Sequence, residues 1–345
     1  MEEKKRKQHY VFQAYLKSWE VDKKIWCSRD WNKPFSGSTE RIANIRDFYR
    51  LKPLNSDEER FYRLLIHAYS TEVQKALLQH LSAYLAPTKW SQQLDILKQF
   101  AVLKYGDAIP DELQAEITRL EKYVDVSINN IEENYLSEIE GESTKWLESL
   151  KKKNADFYYS FDTSEKEDDS FDDEMFHFLY FLCVQMFRTN ATKERWISGF
   201  LPSLDNPQLS NLNVSKDRIN LENLAPHFLW EIQNLLAYSL RKNKAHLTIL
   251  INETNIPFVT TDQPVINLKA DYSKLNSETK ELILYYPISP EIAITVNDSN
   301  TQNTMLLSEE EVHFYNIAMA KAAYHEVFAN SEDLILHLKG IVVSK

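Results

Sequence analysis

An α+β fold is predicted: mainly helical over the N-terminal two-thirds, packed with a small, mostly antiparallel C-terminal β-sheet. Two observations carry this. Apolar residues recur at a 3.6-residue period up to about residue 242 and at a period of two beyond it. Glycine is scarce, 5 in 345 residues, which disfavours a many-turned β-sandwich and Gly-rich phosphate loops. Helices and strands segregated along the chain argue against a doubly wound sheet. The chain therefore reads as a single domain over 1–345, helix-rich over 1–242 and strand-rich over 243–345, the two parts packed together.

HYVFQAYLKSW (9–19) follows the basic run KKRK and carries apolar side chains at 11, 12, 15, 16 and 19, which is helical spacing. KIWCSRD (24–30) reads as a short strand and SGST (36–39) as a loop. Asn55 or Ser56 caps the next helix, whose first turn is acidic. Its stripe runs through Phe61, Leu64, Leu65, Ala68, Tyr69, Ala76, Leu77, Leu81 and Tyr84, and APT (86–88) is expected to stop it. Another helix is expected over 91–104. A long helical pattern covers 111–152, with Gly141 as a candidate break. DTSEKEDDSFDDE (162–174) is an acidic surface loop. The following helix, MFHFLYFLCVQMFRT, is apolar nearly all round and so belongs at the centre. Residues 201–218 form a connection rich in Pro, Asn and Ser, and 221–242 a helix. HLTILIN, IPFVTT, PVINL, ELILYYPI and EIAITV then read as strands. A helix is expected over 309–329, and DLILHLKGIVV as a closing strand or pair.

Composition excludes several function classes. The net charge of −11 disfavours bulk binding to duplex DNA, because neutralising phosphates needs a basic surface. Local basic clusters remain at Lys4–Lys7 and at Arg41, Arg46, Arg50, Lys52, Arg60 and Arg63. Two cysteines, Cys27 and Cys183, are too few for a disulfide scaffold and lack metal-site spacing. The longest apolar run, FLYFLCVQMF, is too short to span a bilayer, so no membrane partner is expected. The expected location is cytoplasmic.

The motifs that carry chemistry are sparse. H-E-x-x-H, Walker, G-x-S-x-G and C-x-x-C patterns are missing from the sequence. Two E-x-x-H spacings, Glu174/His177 and Glu310/His313, place a carboxylate and an imidazole on one helical face. Such spacings arise readily by chance, and no metal or other cofactor is assigned. His9 and Gln13, at i and i+4, would share a face if 9–19 is helical; they are a proton carrier with its orienter, or a helix cap with an exposed amide. In FVTTDQPVI, Pro264 ends a strand ladder and displays Asp262 at its end, either as a functional carboxylate or as an Asx turn. Arg188 ends an apolar helix, as a cap on its last carbonyls or as an anion clamp.

HYVFQAYLKSW, the aromatic DFY, Glu58 and Glu59 at a helix start, FLYFLCVQMFRT, FVTTDQPVI, YYPISPEIAIT, and Asn316 with 323–328 occur in this order. Together they resemble the bacterial family catalogued as domain of unknown function 4238. The resemblance covers nearly the whole chain through dispersed short motifs. Phe12, Trp19, Thr261 and Ile288 depart mildly from the family's Pro, Phe, Ser and Leu, while His9, Arg188 and Asp262 match. The family implies no known activity. It does direct attention to His9, Tyr10, Gln13, Arg188, Thr261, Asp262 and Asn316.

Two functions follow from that set. In the first, the chain is a regulatory or interaction protein, and these residues form a buried polar network that fixes its packing. In the alternative, it is a hydrolase or nuclease-like enzyme acting on a phosphate-containing substrate, in the manner of a defence or toxin effector. Arg188 would then bind phosphate, His9 act as acid or base, and Asp262 orient it. Tyr10, Gln13, Thr261 and Asn316 would support them, and the partner would be nucleic acid or a nucleotide.

Overall fold

A computed structural model describes residues 2–160, 173–205, 215–274, 279 and 281–343. Helix takes 57% of the described residues and strand 14%, so the α+β class holds. Most of the expected acidic loop at 162–174, and the middle of the expected connection at 201–218, lie outside the described residues.

The chain opens with β1 (Lys7–His9), α1 (Gln13–Leu16), β2 (Ile25–Arg29), β3 (Phe35–Gly37) and β4 (Asn44–Arg46). Helices α2 (Ser56–Ile66), α3 (Thr71–Tyr105), α4 (Asp111–Lys151), α5 (Asp156–Tyr159), α6 (Glu174–Phe187), α7 (Asn190–Phe200) and α8 (Leu221–Lys242) follow. Then come β5 (His246–Ile251), β6 (Thr260–Thr261), β7 (Ile266–Asn267), β8 (Leu284–Pro287), β9 (Ile292–Asn297), β10 (Thr304–Leu306), α9 (Glu309–Ala322), β11 (Glu326–Ala329) and α10 (Glu332–Val342). These elements form two compact units. The first comprises Met1–Gln8, Ile45–Glu138 and Phe200–Phe228; the second comprises His9–Asn44, Ile139–Gly199 and Leu229–Lys345.

In the first unit, α2 starts on a capping box. Asn55 Oδ1 accepts from the N–H groups of Asp57 and Glu58, and Glu58 returns a bond to the Asn55 N–H. Helix α3 runs through Pro87, where a stop was expected. Pro87 is buried, and the carbonyl it frees, on Ala83, lies on an exposed turn where water can serve it. The expected helix over 91–104 is thus the second half of α3. The stripe expected on one helix is shared by α2 and α3. Helix α4 passes Gly141 unbroken, since an exposed glycine costs a helix only about 1 kcal/mol. Leu94 and Ala101 of α3 share an apolar core with Ile117, Val124 and Ile128 of α4.

The second unit is built on two sheets. One is five-stranded in the order β10-β5-β9-β8-β7, antiparallel except for the β10–β5 pair. Strands β5, β7, β8 and β9 are buried on both faces, while the edge strand β10 is largely exposed. Leu247, Ile249, Leu284, Tyr286, Ile292, Ile294 and Val296 enter one core with Phe178, Phe181 and Leu182 of α6. Leu250, Ile266, Tyr285 and Ala293 enter the other with Val312 and Met319 of α9 and Ile335 of α10. Period-two alternation here separates two cores, not core from water.

The second sheet corrects the expected layout. It runs β3-β2-β11-β6, all antiparallel, so two N-terminal strands complete a sheet with the C-terminal one. Three local expectations are corrected too. His9–Trp19 is not one helix: Tyr10 N–H bonds the Ala43 carbonyl, and only Gln13–Leu16, with a 3₁₀ turn over Lys17–Trp19, is helical. His9 and Gln13 therefore do not stand at i and i+4 of a helix. The expected 309–329 helix ends at Ala322 and 326–329 is a strand. The closing DLILHLKGIVV is α10, not a strand: Ser331 accepts from the Leu334 N–H, and Glu332 and Asp333 fill the first turn.

Candidate functional site

The turn after β6 places Asp262 in the second unit's interior, 6% exposed. Thr261 makes the local turn, its hydroxyl bonding the Gln263 carbonyl at 3.0 Å and accepting from the Gln263 N–H at 3.1 Å. Asp262 is thereby released for a distant task. Its Oδ1 accepts from Tyr324 N at 2.9 Å, and its Oδ2 from His325 N at 2.7 Å and Glu326 N at 3.2 Å. Three successive main-chain donors thus converge on one carboxylate. This also explains why α9 stops: those N–H groups turn to Asp262 instead of to carbonyls four residues back. Burial pushes the Asp262 carboxyl up to about 6, against the pull of its three N–H donors.

Glu326, the first residue of β11, is 2% exposed and sits at the centre of a second group. It accepts from the Tyr10 hydroxyl and from Arg29 Nε, the latter at 2.6 Å. Cys27 Sγ lies 4.0 Å from its Oε1. Burial, reinforced by Glu326, pushes both the Tyr10 phenol and the Cys27 thiol far above their ordinary values. Both are held protonated, and Cys27 is no ready nucleophile.

Arg188 belongs to a different constellation. Its guanidinium, 3% exposed, pairs with Glu140 and donates to the His9 carbonyl at 2.5 Å. Burial raises Glu140, and the Arg188 charge opposes that rise. The backbone of His9 is thus tied to the end of α6, and the next residue, Tyr10, reaches Glu326. His9, Arg188 and Tyr10–Glu326–Asp262 form a relay of contacts. Arg188 and Asp262 bond to different partners.

Of the remaining candidates, Asn316 bonds main-chain groups on both sides of its amide. Asn316 accepts from Val259 N and donates to the Pro257 carbonyl, both at 2.9 Å, pinning the strand before Asp262 to α9. Gln13 is half-buried at the start of α1. The N-terminal aromatics are fastened as well: Tyr15 Oη meets Thr260 Oγ1 at 2.6 Å, and Trp19 Nε1 donates to the Phe258 carbonyl at 2.7 Å. The aromatic-rich segment is thus explained as a clip on the start of β6 and the residues that lead into it.

Sequence reasoning missed Glu326, Arg29, Glu140, Gln263 and Arg195. Arg195 donates to Gln263 at 2.5 Å and lies over the Tyr272 ring, and Gln263 also bonds the Ala322 carbonyl. An acid inside the apolar run EVFA was the one readable signal for Glu326. Among the described residues, no three His, Cys, Asp or Glu side chains gather as a metal-holding group. Among the described residues, no helix is long and apolar enough to cross a membrane.

Comparison with known proteins gives one match. A family model described as protein of unknown function (DUF4238) matches residues 7–333. No curated protein and no solved structure matches.

Proposed function

Because the chain belongs to the DUF4238 family of proteins of unknown function, we propose, with no activity to carry over, that it is a regulatory or interaction protein whose motif residues are internal fasteners. The observation that carries this reading is the Asp262 carboxylate, both of whose oxygens accept from consecutive main-chain N–H groups. A carboxylate so used holds a strand start in place. Arg188 supports the same reading: a guanidinium that is 3% exposed and engaged by Glu140 and the His9 carbonyl has no face turned to a phosphate. Such a chain acts through a surface that the network keeps fixed. The hydrolase alternative draws no support from these contacts.

Unfolding of two variants in urea tests the reading. Asp262→Asn replaces one acceptor with a donor facing donors, and should cost roughly 2 to 4 kcal/mol, read as a lower midpoint at unchanged slope. Arg188→Ala strands Glu140 in the interior and should cost about 3 to 5 kcal/mol. Near-normal midpoints for both would sink the network, because residues kept for chemistry are often neutral or costly for stability.

A further inference from the structure

The first unit pins down a charged segment. Asn130 Oδ1 accepts from Lys5 N at 2.9 Å, and its Nδ2 donates to the Glu3 carbonyl at 2.8 Å. Asn129 Nδ2 donates to the Lys5 carbonyl at 3.0 Å, and Gln8 Nε2 to the Asn129 carbonyl at 2.9 Å. On the other edge, Asp47 N bonds the Arg6 carbonyl at 2.8 Å, and Tyr49 N bonds Gln8 Oε1 at 2.6 Å. The segment is thus zipped to α4 on one side and to the chain after β4 on the other.

After the exposed Glu3, what it displays is basic. Lys5, Arg6 and Lys7 are all exposed, and none makes an ion pair among the described residues. Arg46 joins them from the neighbouring stretch, 69% exposed and 3.6 Å from Asp47. By contrast Lys4 and Arg50 share an ion pair with Asp125, and Lys52 pairs with Glu222. In a protein of net charge −11, three consecutive unpaired cations stand on a backbone fixed by neutral amides. The distant acids are screened over about 8 Å at physiological salt, so the local sign governs what binds here. Because the backbone is already ordered, binding need order only the side chains.

We propose that this ribbon is a docking strip for single-stranded nucleic acid, gripped through its phosphates. The proposal rests on the interaction-protein reading and names its partner. A narrow line of cations along an extended segment matches a single strand, whose charges also repeat along a line. A duplex brings a denser charge against an acidic body, and the ribbon offers it no second basic face.

The test is the salt dependence of binding to a labelled single-stranded oligonucleotide, read by anisotropy on the full chain. The variant is Lys5→Gln with Arg6→Gln and Lys7→Gln. The control is Lys33→Gln with Lys122→Gln and Lys152→Gln, which changes net charge equally at exposed positions elsewhere. Three phosphate contacts contribute about 2 to the slope of log K against log salt. The ribbon variant should lose that much slope while the control keeps it. Both should keep the wild-type unfolding midpoint, because the fastening uses other side chains. Equal slopes for the two variants overturn the proposal, as does failure of the wild type to bind at about 50 mM salt. Polyglutamate competing as well as unlabelled oligonucleotide also overturns it, and assigns the strip to acidic protein. None of these outcomes touches the Asp262 and Arg188 midpoints, so the network reading stands or falls separately.

Discussion

Thr261 and Asp262 exchange the roles their local sequence suggests. The hydroxyl makes the tight turn and the carboxylate reaches more than sixty residues along the chain. Either side chain can close such a turn. The choice was settled by which of them faces three stranded N–H groups. A second buried group makes a pH prediction. In the first unit, His80 and His227 stand 6.2 Å apart between ring centroids, with Tyr62 and Tyr84 against His227 and Glu132 bonded to Tyr84. Burial lowers His80 to about 4, and burial together with His80 lowers His227 to about 3. The unfolded chain takes up these protons near pH 6.5. A depressed folded value therefore gives stability that is full above 6.5 and falls as pH drops below it. At pH 5 the loss should be roughly 2 kcal/mol per histidine. His227→Gln should flatten the decline between pH 7 and 5. An unchanged pH profile in that variant would show that His227 does not contribute to it.

At the scale of elements, the helices obey caps and stripes more faithfully than breakers. The Asn55 capping box starts α2 as the sequence suggests, and Asn55→Ala should cost about 1 kcal/mol. Pro87 fails to stop α3 because packing on both sides of it outweighs one lost hydrogen bond. Leu77 and Leu81 before it, and Leu94 and Ala101 after it, are all buried. Leu77→Ala should cost roughly 2 to 5 kcal/mol, whereas Lys75→Ala, at an exposed position, should cost less than about 0.5 kcal/mol. Equal urea midpoints would mean that the Leu77 face is turned to water. Element α10 was misread because DLILHL satisfies strand alternation and helix spacing at once. Its cap, Ser331, was the deciding signal.

At the scale of the molecule, the two ends of the chain meet in one sheet. Val327 pairs with Ser28 and Phe328 with Cys27, so β2 waits for a partner made three hundred residues later. The backbone hydrogen bonds of α3 and α4 are made within each helix, between residues four apart. Contacts as far apart in sequence as those of β2 with β11 form late, because the loop must close before the pairing rewards it. In pulse-labelled exchange during refolding, amides of α4 should be protected before those of Cys27 and Phe328. Simultaneous protection would mean that the terminal strands join the earliest structure.

The sequence by itself determined the kind of most elements and the faces they bury. A helix stripe or a two-residue alternation is written in neighbouring residues, and every conformation that buries it must respect it. It also marked His9, Arg188, Asp262 and Asn316 as polar residues worth placing. Their partners were decided by tertiary structure alone. Glu140 for Arg188, the Tyr324–Glu326 amides for Asp262, and β11 for β2 lie dozens to hundreds of residues away. A hydrogen bond needs its atoms within about 3 Å. No local pattern encodes that distance; only the packed core, by bringing remote segments together and excluding water, selects which donor meets which acceptor.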